Sequence, residues 1–156
     1  MSTRPRDISR PVLLIVDTVR TGVRGLDPLQ AAGRPVSTII IVDDDCSVNL
    51  AVTRLLETSG FGVRSFTSAG GLLADEHALD ADCLVLDIHL PDMNGFDLQR
   101  RLAALGSKTP VVVITAHDDA LHRRAARDIG AFAYLTKPFS SLSLVDVVSR
   151  AVAARR

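Results

Sequence analysis

The sequence predicts an α/β fold, in which five parallel strands form a doubly wound sheet in the order 2-1-3-4-5. From Thr38 to the C-terminus, short apolar segments alternate five times with segments of helical spacing. The segments IIIV at 39–42 and VVVI at 111–114 are apolar at every position, which indicates strands that are buried on both faces of the sheet. The helices between the strands provide the long right-handed crossovers that parallel neighbours require.

The five apolar segments define the predicted strands. They cover residues 39–42, 62–66, 83–86, 111–114 and 132–135. The first strand is followed by Asp43, the third by Asp87 and the fourth by Thr115. In this strand order the topological switch point lies between strands 1 and 3. We therefore expect ligands to bind at the carboxyl ends of those two strands.

Capping residues and glycines mark the predicted helices. Ser47, Ser68, either Asp118 or Asp119, and Ser140 are expected to begin the first, second, fourth and fifth helices, and Asn94 and Gly95 lead into the third. Glycines at positions 60, 106 and 130 end the first, third and fourth helices. Gly70 and Gly71 weaken the second helix, and the fifth helix places Leu144, Val145, Val148, Ala151 and Val152 on one face.

The first 37 residues differ in composition from the rest of the chain. They hold four of the seven prolines and six arginines against three aspartates, and their glycines interrupt any amphipathic helix. We interpret residues 1–37 as a flexible N-terminal extension, or as residues ahead of the true start. Residues 38–156 are then one folded domain, which we expect to stand alone because no effector segment follows it.

Composition narrows the classes of function. Lys plus Arg and Asp plus Glu both number 18, so the formal net charge is zero and provides no general attraction to nucleic acid or anionic lipid. The apolar segments are far too short to span a membrane. Cys46 and Cys83 have neither metal-site spacing nor a disulfide framework, which favours a reducing compartment. We therefore expect a cytoplasmic protein with no membrane partner and no direct nucleic-acid partner.

The predicted sheet gathers acidic residues at one edge. Asp43 and Asp44 follow strand 1, and Asp87 follows strand 3. Carboxylates that share a crevice repel one another unless a cation neutralises them, and a site with few protein oxygens and room for water suits Mg²⁺. Thr115 after strand 4 offers a hydroxyl and Lys137 after strand 5 offers an ammonium, so this edge would surround a phosphoryl group. Asp87 is the candidate nucleophile that would form an acyl phosphate.

Four segments carry a resemblance to a known family. They are IIIVDDD at 39–45, LVLDIHLPDMNG at 84–95, VVVITAH at 111–117 and YLTKPF at 134–139. Each segment is weak evidence alone. Together, in this order and at these strand ends, they resemble the receiver domain of two-component response regulators over residues 38–153. The resemblance implies a flavodoxin-like (βα)5 fold and a phosphorelay signalling domain that catalyses only its own phosphorylation and dephosphorylation.

The resemblance also implies a role for each residue of the site. Asp43, Asp44 and Asp87 would hold Mg²⁺. Asp87 would accept the phosphoryl group from a sensor histidine kinase or a histidine phosphotransfer protein. Thr115 and Lys137 would contact that phosphoryl group, so that these five residues carry the chemistry.

The resemblance implies a switch next to the site. Tyr134 would be the aromatic switch residue and would shift together with Thr115 on phosphorylation. The face formed by helix 4, strand 5 and helix 5 would then bind a downstream protein partner. The bond between Lys137 and Pro138 would be cis, which is credible only for a residue followed by proline.

Two other functions stay open on the residues alone. Asp43 and Asp45 have the DxD spacing of haloacid-dehalogenase-like phosphatases, with Asp43 as the nucleophile, although Cys46 and Ser47 stand where that family has other residues. The second alternative is a docking domain that keeps the fold and is never phosphorylated. For Asp45 we favour an interaction with the dipole of the first helix over metal ligation.

His89 and His117 lie two positions after Asp87 and Thr115. One interpretation is that both are solvated loop residues. The other is that their charge near neutral pH alters the approach of hydrolytic water and so sets the lifetime of the acyl phosphate. The sequence leaves their role open.

Overall fold

Five strands and five helices alternate along residues 35–156, the part of the chain that the computed structural model describes. The strands are β1 Thr38–Val42, β2 Gly62–Phe66, β3 Cys83–Asp87, β4 Val111–Thr115 and β5 Ala133–Thr136. The helices are α1 Cys46–Thr58, α2 Ala69–Leu73, α3 Gly95–Ala104, α4 Ala120–Asp128 and α5 Ser141–Arg155. The predicted extension over residues 1–37 lies outside the described residues except for its last three, so its flexibility stays a prediction.

The sheet is parallel throughout and has the order β2-β1-β3-β4-β5. The predicted topology is therefore confirmed, and only strand ends differ from the prediction. β3 and β4 each include one more residue, Asp87 and Thr115, and β5 begins and ends one residue later than predicted. Two of the chemically important side chains are thus held by the strands themselves.

Side-chain caps determine where the helices begin. The N-caps of the four later helices are Ser68, Asn94, Asp119 and Ser140, and of these Ser68, Asp119 and Ser140 begin their helices as predicted. The prediction of Ser47 as the first N-cap was wrong, because Asp45 occupies that position. The Asp45 carboxylate accepts hydrogen bonds from the N–H groups of Ser47 and Val48 at 2.9 and 3.1 Å. A carboxylate at this place satisfies two free N–H groups and also interacts favourably with the helix dipole.

Two apolar layers, one on each face of the sheet, form the core. Because successive strand residues point to opposite faces, each strand contributes to both layers. Ile40, Val42, Leu84, Leu86 and Val113 pack on the side of α2, α3 and α4, with Leu72, Leu98 and Leu102. Ile39, Ile41, Val85, Val112 and Ile114 pack on the side of α1 and α5, with Leu56, Leu144 and Val148. The three central strands, β1, β3 and β4, are buried on both faces, as the apolar sequences of β1 and β4 predicted, whereas the edge strands β2 and β5 are only partly buried.

The strand register positions the predicted site. Val42 pairs with Leu86, so Asp43 and Asp87 leave neighbouring strands side by side. Within the described residues, no helix has both the length and the apolar character that would let it cross a membrane.

Candidate functional site

Three carboxylates meet at the carboxyl ends of β1 and β3. Asp43, Asp44 and Asp87 each place a carboxylate oxygen within 4.8 Å of the oxygens of the other two. Asp43 is 0% exposed and Asp87 is 5% exposed, while Asp44 faces solvent. The predicted meeting of these distant acids is confirmed. Their roles are not decided by proximity alone.

Lys137 extends into this group of carboxylates from the end of β5. Its Nζ lies 2.8 Å from Oδ2 of Asp43 and 3.2 Å from Oδ2 of Asp87. The backbone N–H of Lys137 donates to the Thr115 carbonyl at 2.7 Å, which fixes the chain where it leaves the sheet. The peptide bond from Lys137 to Pro138 is cis, as predicted.

The charges in this pocket alter one another's pKa values. Burial raises the pKa of Asp43, and the Asp87 carboxylate adds to the rise. Hydrogen bonds from Lys137 and from the Asp45 N–H favour the charged form and offset this pKa change only in part. Burial by itself would lower the pKa of Lys137, but the carboxylates of Asp43 and Asp87 outweigh it, so that this pKa is raised. The pocket thus brings three carboxyl groups together with a single ammonium.

Hydrogen bonds fix the loop that carries Asp43. The N–H of Asp45 donates to Oδ1 of Asp43 at 2.9 Å. The buried side chain of Asn49 donates from Nδ2 to the carbonyls of Asp43 and Phe66 at 3.0 and 2.9 Å. These bonds tie the start of α1 to the ends of β1 and β2, so that the Asp43 carboxylate is held in place from both sides.

Thr115 and Tyr134 lie beside the acids on β4 and β5. The buried Thr115 hydroxyl donates to the His117 carbonyl at 3.1 Å and accepts from the His117 N–H at 3.0 Å. The hydroxyl is therefore engaged with the loop that follows β4. The Tyr134 hydroxyl lies 3.5 Å from the same carbonyl, which is a long and weak contact. Both predicted switch residues thus contact one loop.

Sequence reasoning missed Asn49. It lies three residues before Val52 and seven before Leu56, and these three residues make up the buried side of α1. A polar residue that continues the apolar stripe of a helix was the available signal, because buried amides need hydrogen-bond partners.

Sequence reasoning also missed Asp92, for which the chain offers no local signal. Its carboxylate accepts from the N–H groups of Ala69 and Gly70 at 3.0 and 2.7 Å, across more than twenty residues. The Gly70 N–H lowers the pKa of Asp92. Asp92 thereby fastens the loop that follows Asp87 to the beginning of α2.

Comparison with known families agrees with this geometry. A family model described as the response regulator receiver domain matches residues 39–149. The chain belongs to the response regulator receiver family. Receiver domains of response regulators are signalling domains, so the phosphatase alternative loses its support. In this receiver domain, moreover, the carboxylate of Asp45 caps α1 and is not available for a DxD pair with Asp43.

Solved receiver domains share the fold. The structure has a TM-score of 0.72 to a CheY-like receiver domain protein from Methanospirillum hungatei JF-1, at 25% identity, covering 78% of this chain and 97% of the other. It has a TM-score of 0.70 to a BeF3-activated DrrB receiver domain, at 30% identity, covering 76% and 99%. Those chains are covered almost completely by this receiver domain.

Curated relatives are longer proteins. The response regulator protein TmoT of Ectopseudomonas mendocina is 39% identical over 116 residues, which cover 74% of this chain and 53% of TmoT. The transcriptional regulatory protein TdiR of Thauera aromatica is 36% identical over 120 residues, covering 77% and 53%. This receiver domain thus spans about half the length of these relatives. Since TdiR is a transcriptional regulator, the expectation of no nucleic-acid partner gains no support.

Proposed function

We propose that this receiver domain accepts a phosphoryl group on Asp87 from a histidine kinase or a histidine phosphotransfer protein, in a reaction that depends on Mg²⁺. The observation that carries the proposal is the convergence of Asp43, Asp44, Asp87 and Lys137 at one edge of the sheet. Phosphoryl transfer needs mainly positioning and charge neutralisation, and this edge supplies both.

The contacts of the three acids support Asp87 as the acceptor. Asp43 is fully buried and is held by Lys137 and by the Asp45 N–H at 2.8 and 2.9 Å. The contacts of Asp87 are longer, at 3.2 Å from Lys137 and 3.3 Å from the His89 N–H. Asp87 therefore has the carboxylate that is both close to the cation site and loosely held enough to react.

The donor set fits Mg²⁺. Three carboxylate oxygens within 4.8 Å are hard ligands, and the exposure of Asp44 leaves room for coordinated water. When bound, Mg²⁺ would neutralise charge on the carboxylates and on the phosphoryl oxygens. Asp43 and Asp44 would hold the ion beside Asp87, and the excess negative charge of the pocket favours its binding.

The transfer itself uses groups of this chain. A carboxylate oxygen of Asp87 forms a bond to phosphorus while the bond from phosphorus to the donor's imidazole nitrogen breaks, and the imidazole leaves with the electron pair. Lys137 Nζ, which lies within reach of Asp87, would then pair with a phosphoryl oxygen. Thr115 would exchange its bond to the His117 carbonyl for one to the phosphoryl group.

That exchange supports the proposed output. If the Thr115 hydroxyl left the His117 carbonyl, the loop before α4 would lose a hydrogen bond. Tyr134 lies next to that same carbonyl and would therefore sense the change. The α4-β5-α5 face would then change its affinity for a downstream protein. Because several relatives are transcriptional regulators, such a partner would act in transcription.

The proposal is tested with acetyl phosphate as the donor. In the presence of Mg²⁺ the intact mass of the full chain should increase by one phosphoryl group, and Asp87→Asn should remain unmodified. Asp146→Asn is the matched control, because Asp146 is an exposed aspartate on α5 whose carboxylate pairs with Arg150 and is not among the acids of the site. Phosphate mapped to another residue, or an Asp87→Asn variant that is modified as fast as the native chain, would refute the assignment.

A further inference from the structure

Three imidazole rings form a cluster beside the carboxylate pocket. The His89 ring centroid lies 5.2 Å from that of His117 and 5.4 Å from that of His122. His89 follows β3, His117 follows β4, and His122 lies in the first turn of α4. The chain has four histidines, and only His77 lies outside this cluster. The three rings therefore bring together three separate segments at one solvent-facing place.

The His122 ring is held in the manner of a metal ligand. Its Nδ1 lies 3.0 Å from the His117 carbonyl and 3.1 Å from Oδ2 of Asp119. Both partners only accept hydrogen bonds, so they favour a proton on Nδ1, and in the neutral ring with that tautomer Nε2 carries the free lone pair. An imidazole that donates one N–H to a carbonyl or carboxylate and offers the other nitrogen is the usual arrangement around bound zinc.

The spacing of the rings suits one shared ion. With Zn–N bonds of about 2.0–2.1 Å and tetrahedral geometry, two coordinated imidazoles have ring centroids about 5 Å apart. The two separations measured from His89, 5.2 Å to His117 and 5.4 Å to His122, match that value. Among residues 35–156, the side chains that already place three potential ligand atoms within 4.8 Å of one another are those of Asp43, Asp44 and Asp87. The nitrogens of the three imidazoles are not yet that close together, so rings must rotate before all three can contact one ion. His89 and His117 are exposed.

We propose that His89, His117 and His122 bind a divalent late transition metal such as Zn²⁺. This site is distinct from the carboxylate pocket, because imidazole nitrogen favours Zn²⁺ over Mg²⁺ whereas carboxylate oxygen suits Mg²⁺. The two aspartates before α4, Asp118 and Asp119, have different partners. Asp119 orients His122, while the carboxylate of Asp118 is paired with Arg123 and is not needed as a ligand.

Calorimetric titration of the full chain with Zn²⁺, with excess Mg²⁺ present to fill the carboxylate pocket, tests this proposal. We expect one binding site, weakened about tenfold or more in each of His89→Ala, His117→Ala and His122→Ala. His77→Ala is the matched control and should bind like the native chain, since His77 is exposed and paired only with Glu76 and Asp80. Equal affinity in all four variants, or equal loss in His77→Ala, would overturn the proposal.

Two further variants test whether the three imidazoles, and not another set of side chains, bind the ion. Asp119→Asn should keep α4 capped, because Asn and Asp are equally good N-caps, yet weaken Zn²⁺ binding about 10- to 100-fold because His122 loses its orienting carboxylate. Cys46→Ser should leave the affinity unchanged, because Cys46 is exposed at the start of α1 and is not part of the cluster. Loss of the site in Cys46→Ser would assign the ion to a thiolate and overturn the proposal.

Occupancy would link the loops that follow Asp87 and Thr115. We therefore expect Zn²⁺ to change the decay rate of the acyl phosphate in the native chain but not in His122→Ala. This consequence depends on the proposed function, whereas the calorimetric binding does not, so the failure of one is distinguishable from the failure of the other.

Discussion

Gly95 is the residue at which a single added carbon should most directly disturb the proposed phosphoryl-acceptor site. A Cβ on Gly95 would lie 2.4 Å from the backbone oxygen of Asp87 and 3.0 Å from Cα of Ile88. Ordinary contact begins at 3.4 Å, so the oxygen and the new carbon must separate by about 1 Å. The obstructing atoms are backbone, and the Gly95 N–H also donates to the Ile88 carbonyl at 2.8 Å. The end of β3 must therefore move, and Asp87 with it.

For Gly95→Ala we expect a loss of about 1–3 kcal/mol in the free energy of unfolding, as for other overpacked sites. A displacement of about 1 Å at a reacting group can cost about 100-fold in rate, so phosphorylation by acetyl phosphate should slow by up to that factor. The rate is read from intact mass over time, and stability from urea unfolding.

Gly62→Ala is the matched control for this experiment. A Cβ at Gly62 would meet its nearest atoms at 3.6 Å or more, which is ordinary contact. It should therefore be neutral, or stabilise by about 0.4–1 kcal/mol through the unfolded chain. If Gly95→Ala phosphorylates and unfolds like Gly62→Ala, the close approach of Gly95 to Asp87 has no bearing on the site.

Four other variants test the charges and supports of the pocket. The folded-state pKa of Asp43 is raised, so ionising this carboxyl group lowers the free energy of unfolding. Without divalent cations, Asp43→Asn should therefore unfold at a higher urea concentration than the native chain at pH 7, and this difference should shrink as the pH falls toward 3.8. A difference that stays constant with pH would contradict this prediction. Mg²⁺ at about 100 times its Kd should stabilise the native chain by about 2.7 kcal/mol and should raise the Tm of Asp44→Asn far less. Asn49→Ala should lose about 1–3 kcal/mol, since the buried Asp43 carbonyl loses its donor, and equal urea midpoints would refute this. Lys137→Gln should bind Mg²⁺ more tightly but phosphorylate more slowly, while Lys108→Gln, at the other lysine of the chain, should do neither.

The fold was predictable because each local signal in this chain agrees with the global topology. Apolar strands such as 39–42 and 111–114 specified burial on both faces, and the alternation with helices specified parallel pairing. Once the order was known, Asp43 and Asp87 had to emerge together, because parallel neighbours end at the same edge of the sheet. The site was therefore predicted from strand ends alone, without knowledge of any side-chain position.

The missed features depend on contacts that local patterns do not specify. Ser47 is a reasonable N-cap from its type, but Asp45 lies two residues earlier and its carboxylate reaches two N–H groups. The bond from Asp92 to the start of α2 joins residues more than twenty positions apart, and nothing in the intervening chain signals it. Similarly, His122 meets His89 only because α4 and the loop after β3 lie side by side.

Lys137 explains how the pocket tolerates three acids before a divalent cation binds. Its ammonium contacts the two buried carboxylates, while Asp44 is exposed to solvent. Because the Lys137 pKa is raised, this ammonium stays charged throughout the physiological range. Lys137 and a bound Mg²⁺ would therefore compete electrostatically for the carboxylates of Asp43 and Asp87. In the proposed reaction, a phosphoryl group on Asp87 would add negative charge that both Lys137 and Mg²⁺ could pair with, so that the residue expected to oppose metal binding in the free domain would favour the phosphorylated state.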